Sequence, residues 1–387
     1  MFLCIIKTGI FVRIVGDRTK LSSKRKRGLE NMSIDYSTAT TKQLFKLATK
    51  GDAEAQYNLG ECYYYGTGIK QDYEKAVSWY IKAAEHGNVD AQYDLGEYYY
   101  YGDGVEQDYE KAVYWYTKAA EQGDAGAQCN LGYTYDNGEG VKQDYEKAVY
   151  WYTKAAEQGD EDAQFSLGNS YYNGTGVKQD YEKAVYWYTK AAKQGKGKAQ
   201  FNLGLCYETG RGIKQDYEKA VYWYTKAAKR YVDYAQYNLG FFYYNGKGVK
   251  QDYEKAVYWY MKAAKKGNIL AQCNLGLCYI NGDGVEQDYE KAVYWYAKAA
   301  EQGNAIAQCN LGLCYAKGQG VKKDYEEAVY WFKKAAEQGD TEAQENLDAV
   351  SKQIETEKSL KRCAHCGGEF KGVFKKVCSV CGKEKDY

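Results

Sequence analysis

The sequence predicts an all-α protein, an α/α superhelix built as a solenoid of 36-residue helix-turn-helix repeats, with a short cysteine-bearing segment at its C-terminal end. Three observations carry this. The pair Ala-Gln recurs at Ala55, Ala91, Ala127, Ala163, Ala199, Ala235, Ala271, Ala307 and Ala343, each step being 36 residues. All eight tryptophans (Trp79, Trp115, Trp151, Trp187, Trp223, Trp259, Trp295 and Trp331) fall at one position of that period. Two Cys-x-x-Cys pairs stand near the end of the chain, outside the repeats. Self-similarity at a fixed period is the mark of a repeat architecture.

Taken in order, residues 1–40 read as a disordered leader, or as sequence upstream of a true start at Met32. The stretch "MFLCIIKTGIFVRIVGDRTK" is apolar, but Lys7 and Arg13 interrupt it and no small-residue cleavage site follows, which argues against a signal peptide. The basic run Lys24 to Arg27 fits either a nuclear-import or nucleic-acid patch or a solvated charge run. Residues 41–54 form an N-terminal capping helix, residues 55–342 eight repeats, residues 343–362 a C-terminal capping helix and linker, and residues 363–387 a separate small module.

Within the first repeat, Ala55, Leu59 and Tyr63 are spaced by four and share one stripe of a first helix. Gly60 beside Leu59 lets a neighbouring helix approach closely, at a cost of about 1 kcal/mol in helix propensity. Gly66 and Gly68 end that helix and turn the chain. Asp72 is placed to cap a second helix, whose inner face carries Ala76, Tyr80, Ala83 and Ala84 beside Trp79. Gly87 supplies the left-handed residue after its last turn. One such pair cannot bury its own apolar face and stacked copies can, so the ends need polar caps. At the back, Asp348 and Ser351 replace the Gly and Tyr of the repeat and make the outer face wettable.

The skeletons A-x-x-x-L-G-x-x-Y-x-x-G-x-G-V and D-Y-E-K-A-V-x-W-Y-x-K-A-A-x-x-G resemble the SEL-one-like repeat family, relatives of the tetratricopeptide repeats, over about residues 41–350. Members often carry proline just after the valine of the turn, where this chain has Lys70 or Glu106. Tyr231 occupies the helix-ending glycine position of the fifth repeat and predicts an irregularity near residues 229–234. The paired glycines, as at Gly174 and Gly176, form a turn and not a phosphate cradle: the residue between them varies (Thr67, Asp103, Glu139, Arg211, Lys247), and no Gly-Lys-Ser/Thr follows.

Positions that vary between copies are candidates for binding. In the first repeat they are Glu54, Tyr57, Glu61, Tyr64 and Tyr65, on the side of the first helix away from the packing stripe. The family resemblance implies that this side lines a concave groove for extended or helical peptides. The first four repeats offer Glu54, Glu61, Glu97 and Asp136 among Tyr57, Tyr64, Tyr93, Tyr100, Tyr133 and Tyr172; the last four offer Leu205, Phe241, Leu277, Ile280 and Leu313. Acidic groups beside aromatic faces suit lysine or arginine, through ion pairs and cation–π contacts of about 0.5–2 kcal/mol. The expected partner is a protein or peptide with a basic end and an apolar end. The same pattern also fits ordinary solvated positions and inter-helix packing.

Seven cysteines lie in first helices at two repeat positions: Cys62, Cys206, Cys278 and Cys314 at one, Cys129, Cys273 and Cys309 at the other. In other copies these positions hold aromatic or small residues, so the thiols read as semi-buried filler and, unbridged, point to a reducing cytoplasm. A second set is different. Cys363-x2-Cys366 and Cys378-x2-Cys381 are separated by eleven residues, and Gly367 and Gly382 follow the pairs. Two such knuckles joined by a hairpin suit one tetrahedral, structural Zn²⁺ held by Cys363, Cys366, Cys378 and Cys381, a pattern that resembles a small zinc ribbon. His365 reads as a spare between the first pair.

With 27% charged residues and a mean hydropathy of −0.73, membrane insertion is not expected, and no run approaches the roughly 18 apolar residues a spanning helix needs. The net charge of +1 conceals basic ends around a body, residues 42–357, with 37 basic against 46 acidic side chains. Only the ends could attract nucleic acid. With two histidines in the chain, His86 and His365, no nucleophile–base constellation can be drawn, so a hydrolase finds no support. The reading is a monomeric, cytoplasmic, non-enzymatic interaction scaffold; the alternative is an adaptor touching DNA or RNA through its basic zinc ribbon.

Overall fold

The computed structural model describes residues 40–230, 232–360, 370–371 and 377–378. The leader of residues 1–39 and the ligand positions Cys363, Cys366 and Cys381 lie outside the described residues. The repeats divide into two compact units between Asp216 and Tyr217.

The first unit opens with α1 (Thr41–Ala48) and continues with four complete helix pairs: α2 (Ala53–Tyr65) and α3 (Tyr73–Glu85), α4 (Val89–Tyr101) and α5 (Tyr109–Glu121), α6 (Ala125–Asn137) and α7 (Tyr145–Glu157), α8 (Glu161–Asn173) and α9 (Tyr181–Lys193). It closes with α10 (Gly197–Thr209). The second unit runs through α11 (Tyr217–Lys229), α12 (Asp233–Asn245), α13 (Tyr253–Ala264), α14 (Ile269–Asn281), α15 (Tyr289–Glu301), α16 (Ala305–Lys317), α17 (Tyr325–Ala336) and α18 (Thr341–Leu360). Beyond these, β1 (Phe370–Lys371) pairs antiparallel with β2 (Val377–Cys378), Phe370 opposite Cys378. No helix among the described residues is long and apolar enough to cross a membrane.

Each first helix begins two residues before the Ala-Gln pair, because the cap lies there: the Asp52 carboxylate accepts from the Ala55 amide. It ends on a left-handed glycine such as Gly66 (φ 71°), whose amide donates to the Cys62 carbonyl. The chain then crosses to Asp72, which caps α3 through the Lys75 amide. Gly60 is required by close approach, since a Cβ there would lie 2.7 Å from the Tyr80 ring. Tyr80 is completely buried, as are its counterparts Tyr188, Tyr224, Tyr260 and Tyr296.

Successive repeats are joined by two devices. The tryptophan of one repeat packs against the buried cluster shared with the repeat before it. Trp115 packs against the cluster of Ala76, Tyr80 and Leu95, which spans the first and second repeats, and Trp151 against that of Ala112, Tyr116 and Leu131, which spans the second and third. A ladder of glutamines is the second device. Gln92 donates to the Ala84 carbonyl at the preceding helix end, which also accepts from the Gly87 amide, and Gln92 accepts from Gln122 at 2.7 Å. The same 30-residue bond joins Gln158 to Gln128, Gln194 to Gln164, Gln302 to Gln272 and Gln338 to Gln308, while His86 meets Gln56 at 2.8 Å.

The cysteines of the first helices form no disulfide, and Cys206, Cys273, Cys278, Cys309 and Cys314 are fully buried, more deeply than semi-buried filler. Burial pushes the thiols of Cys206, Cys278 and Cys309 up to about 12 and that of Cys314 to about 11, so they behave as apolar volume and not as thiolates. Near the fifth repeat, α11 ends at Lys229 and Val232 stands at the α12 N-cap without a side-chain bond. Tyr231 itself is outside the described residues. At the back, Asp348 is exposed on α18, as a polar end requires.

A candidate peptide-binding face on the first helices

The varied positions of α2, α4, α6 and α8 are partly buried, and hydrogen bonds account for much of that burial. Glu61 accepts from the Tyr80 hydroxyl at 2.6 Å, and Glu97 from Tyr116 at 2.6 Å and from Asn130 at 2.6 Å. Glu54 accepts from Asn88 at 2.9 Å. The buried Tyr80 and Tyr116 thus each have a carboxylate acceptor on the first helix of their own repeat. In the fourth repeat Asn169 serves Tyr188 at 2.7 Å, and in the eighth the tyrosine is Phe332 beside Leu313.

Between repeats, Tyr57 on α2 donates to Asp94 on α4 at 3.0 Å. The carboxylates form a desolvated group. Burial raises the pKa values of Glu54, Glu61 and Glu97, and it pushes Asp94 up to about 7, with the charges of Glu61, Asp90 and Glu97 adding to the effect. Among the described residues, no lysine or arginine pairs with Glu54, Glu61, Asp94 or Glu97.

The tyrosines surround this group. Tyr57 lies 5.7 Å from Tyr80, Tyr93 lies 6.2 Å from Tyr116, and Tyr64 stacks on Tyr98 at 5.5 Å. Tyr100 contacts Tyr133 edge-on at 6.4 Å. Tyr65 and Tyr101 remain exposed at the helix ends. Asp136 is partly buried on α6.

The residue between the turn glycines has a role beyond turning the chain. Tyr100 donates to Glu139 at 2.6 Å, Arg211 donates to the buried Tyr172 at 2.5 Å, and Tyr244 donates to Asp283 at 2.7 Å. Each pair is 39 residues apart, a spacing visible in the sequence once the first-helix tyrosine and the next turn are compared.

The apolar positions are more enclosed than an open groove would have them. Leu277 is buried in α14, and Phe241 and Ile280 cover the core formed by Tyr260, Leu275 and Tyr296. Leu313 packs beside Phe332, and Leu205 is partly buried in α10. His86 is engaged in the glutamine ladder. Among the described residues, no group of three or more His, Cys, Asp or Glu is placed to hold a metal.

Residues 53–88, 89–124, 125–160, 161–196, 197–231, 233–268, 269–304 and 305–340 each match the family model described as Sel1 repeat. The fold is similar to the crystal structure of a protective antigen of uropathogenic Escherichia coli with an SLR fold (41% identity, TM-score 0.78, covering 84% of this chain and 69% of that one). It is also similar to a Sel1 repeat protein from Oxalobacter formigenes (38% identity, TM-score 0.61, 80% and 89% covered). A search among curated protein sequences matches none of them to this chain. Eight consecutive matches, each housing one helix pair, place the chain in the Sel1 repeat family.

Proposed function

We propose that this chain is a non-enzymatic interaction scaffold whose first unit binds a basic protein or peptide segment across α2, α4, α6 and α8. Membership of a family whose repeats serve as protein-interaction scaffolds supports the class. The observation that carries the polarity is the carboxylate group of Glu54, Glu61, Asp94 and Glu97, desolvated and without a described cationic partner. A lysine or arginine arriving there gains ion pairs and aromatic faces together, and it relieves the mutual repulsion of the acids. Changing Glu61, Glu97 and Asp136 to Lys should abolish recovery of partners in a pull-down with circular dichroism unchanged. Unchanged recovery removes the reading.

The same reading gives the C-terminal segment a structural Zn²⁺ held by Cys363, Cys366, Cys378 and Cys381. The Cys-x-x-Cys spacing supports it, and so does the β1–β2 pairing, which lies between the two knuckles and ends at Cys378. A four-thiolate site would fold the segment and leave no coordination position for substrate. Zinc there would make the ribbon a second docking module beside the repeats.

A further inference from the structure

We propose that the last turns of α11 and α13, in the second unit, form a docking surface for an acidic protein segment. Lys226, Lys229 and Arg230 end the first of these helices and Lys262, Lys265 and Lys266 the second; all six are exposed, and no acidic residue lies in either last turn. The corresponding last turns carry Glu121 in α5, Glu157 in α7 and Glu301 in α15. The scaffold accepts either sign at this exposed position, so packing does not dictate the cations.

Favourable interaction with the helix dipole explains a lysine in the last turn, and every second helix from α3 to α17 has one. It does not explain Arg230 and Lys266. These two residues occupy the ladder position held elsewhere by glutamine or His86. Among the described side chains, the glutamines left with an unpartnered, buried carbonyl oxygen are Gln200 and Gln236, the two residues that stand 30 positions before Arg230 and Lys266. Gln236 lies in the same unit as Lys266 and is 2% exposed. Its amide still donates to the Ala228 carbonyl, so the orphaned oxygen is turned to the edge where the ladder bond forms in other repeats. Leaving a buried acceptor unsatisfied is destabilising. Within the second unit the chain therefore gives up a scaffold bond at Gln236 and gains the cation Lys266 at the same edge.

The patch is also preorganised. Tyr222 and Tyr258 are each 52% exposed beside it, and the Lys226 and Lys262 ammonium groups lie 4.8 and 4.7 Å over their rings. The extent of the patch selects the ligand. α11 and α13 both pack on α12, and side chains on one face of an extended strand repeat about every 7 Å, so carboxylates spaced along an extended acidic segment can meet both rows. A long nucleic-acid strand would run on towards α15, whose last turn carries Glu301.

The test is fluorescence anisotropy of labelled octaglutamate with the full chain at physiological salt. Binding is expected to weaken about tenfold or more in the double variant Arg230→Gln, Lys266→Gln, which removes two charges and restores the ladder bond to Gln236. Its melting temperature should hold or rise by a few degrees, which shows that lost binding is not lost folding. Removing two lysines elsewhere, Lys147→Gln with Lys154→Gln, should change affinity by less than about twofold. Absence of octaglutamate binding, equal binding by the ladder-restored variant, or tighter binding of a charge-matched oligothymidine would each overturn the proposal. Neutralising Glu61 and Glu97 should not weaken octaglutamate binding, so this result is separable from that for the basic-peptide face.

Discussion

The Tyr57 hydroxyl donates a 3.0 Å hydrogen bond to Asp94 on the next first helix, and this bond ties the first two repeats together through a carboxyl held up to about pH 7. Its counterparts at the same repeat position are Asn58, Asn130, Ser166, Asn202, Asn238, Asn274 and Asn310, which carry no charge. The acid is therefore a local choice and has a cost in stability at neutral pH.

That cost is measurable. A carboxyl whose folded pKa lies above its unfolded value holds its proton more tightly when folded. The stabilisation from Asp94 is thus complete below about pH 4 and lost as pH rises through about 7. Replacing Asp94 by Asn should stabilise the first repeats at pH 8 by on the order of 2 kcal/mol and flatten the pH dependence. Hydrogen exchange of α4 across pH 5–8 would show it; an unchanged pH slope would count against the desolvated acid.

The glutamine ladder should be energetically local. Gln158→Ala removes the bonds to the Gln128 oxygen at 2.8 Å and the Gly123 carbonyl at 3.0 Å. A loss of about 1–2 kcal/mol is expected, concentrated in the third and fourth repeats, because solenoid stability is a sum over neighbours. Denaturant melts read by tryptophan fluorescence and by helicity would locate it.

Close packing of tyrosine under glycine sets a sharper limit. A Cβ on Gly132 would meet the Tyr152 ring at 2.7 Å, so Gly132→Ala should cost about 1–3 kcal/mol despite the better helix propensity of alanine. The pair Gly132→Ala with Tyr152→Leu should recover part of that loss in a thermal melt, because the ring is the obstacle.

For the C-terminal segment, metal analysis of the full chain should find about one zinc per molecule, lost when Cys378 and Cys381 become Ser. The helicity of the repeats should be unaffected, since the repeats fold without those thiols.

The period, the two helices of each repeat, the Asp72 cap of the second helix and the buried tyrosine were legible, because each is dictated within one 36-residue unit and then copied. The Asp52 cap of the first helix became visible only in the structure. Contacts between units were harder to read. Tyr57 and Asp94 are 37 residues apart and Tyr100 and Glu139 are 39 apart, so seeing them requires the register between repeats. Hence Glu61 and Glu97, which vary between copies and looked free, prove to hold the hydroxyls of Tyr80 and Tyr116. Leu277 looked like a groove residue because earlier copies carry Glu61 and Glu97 at that position, but its helix places it in the core. The ladder had a visible signal in glutamines repeated 30 residues apart. Its meaning emerged only from the two positions where Arg230 and Lys266 interrupt it.

The central claim is that the first unit presents an acidic, aromatic face to a basic segment. Its most direct test is calorimetric titration of the full chain with octalysine at two salt concentrations, beside the isosteric variant Glu54→Gln, Glu61→Gln, Glu97→Gln. Binding that weakens with salt and falls about tenfold or more in the variant, with its melting temperature held, is the predicted result. Equal affinity of the two proteins for octalysine would contradict it.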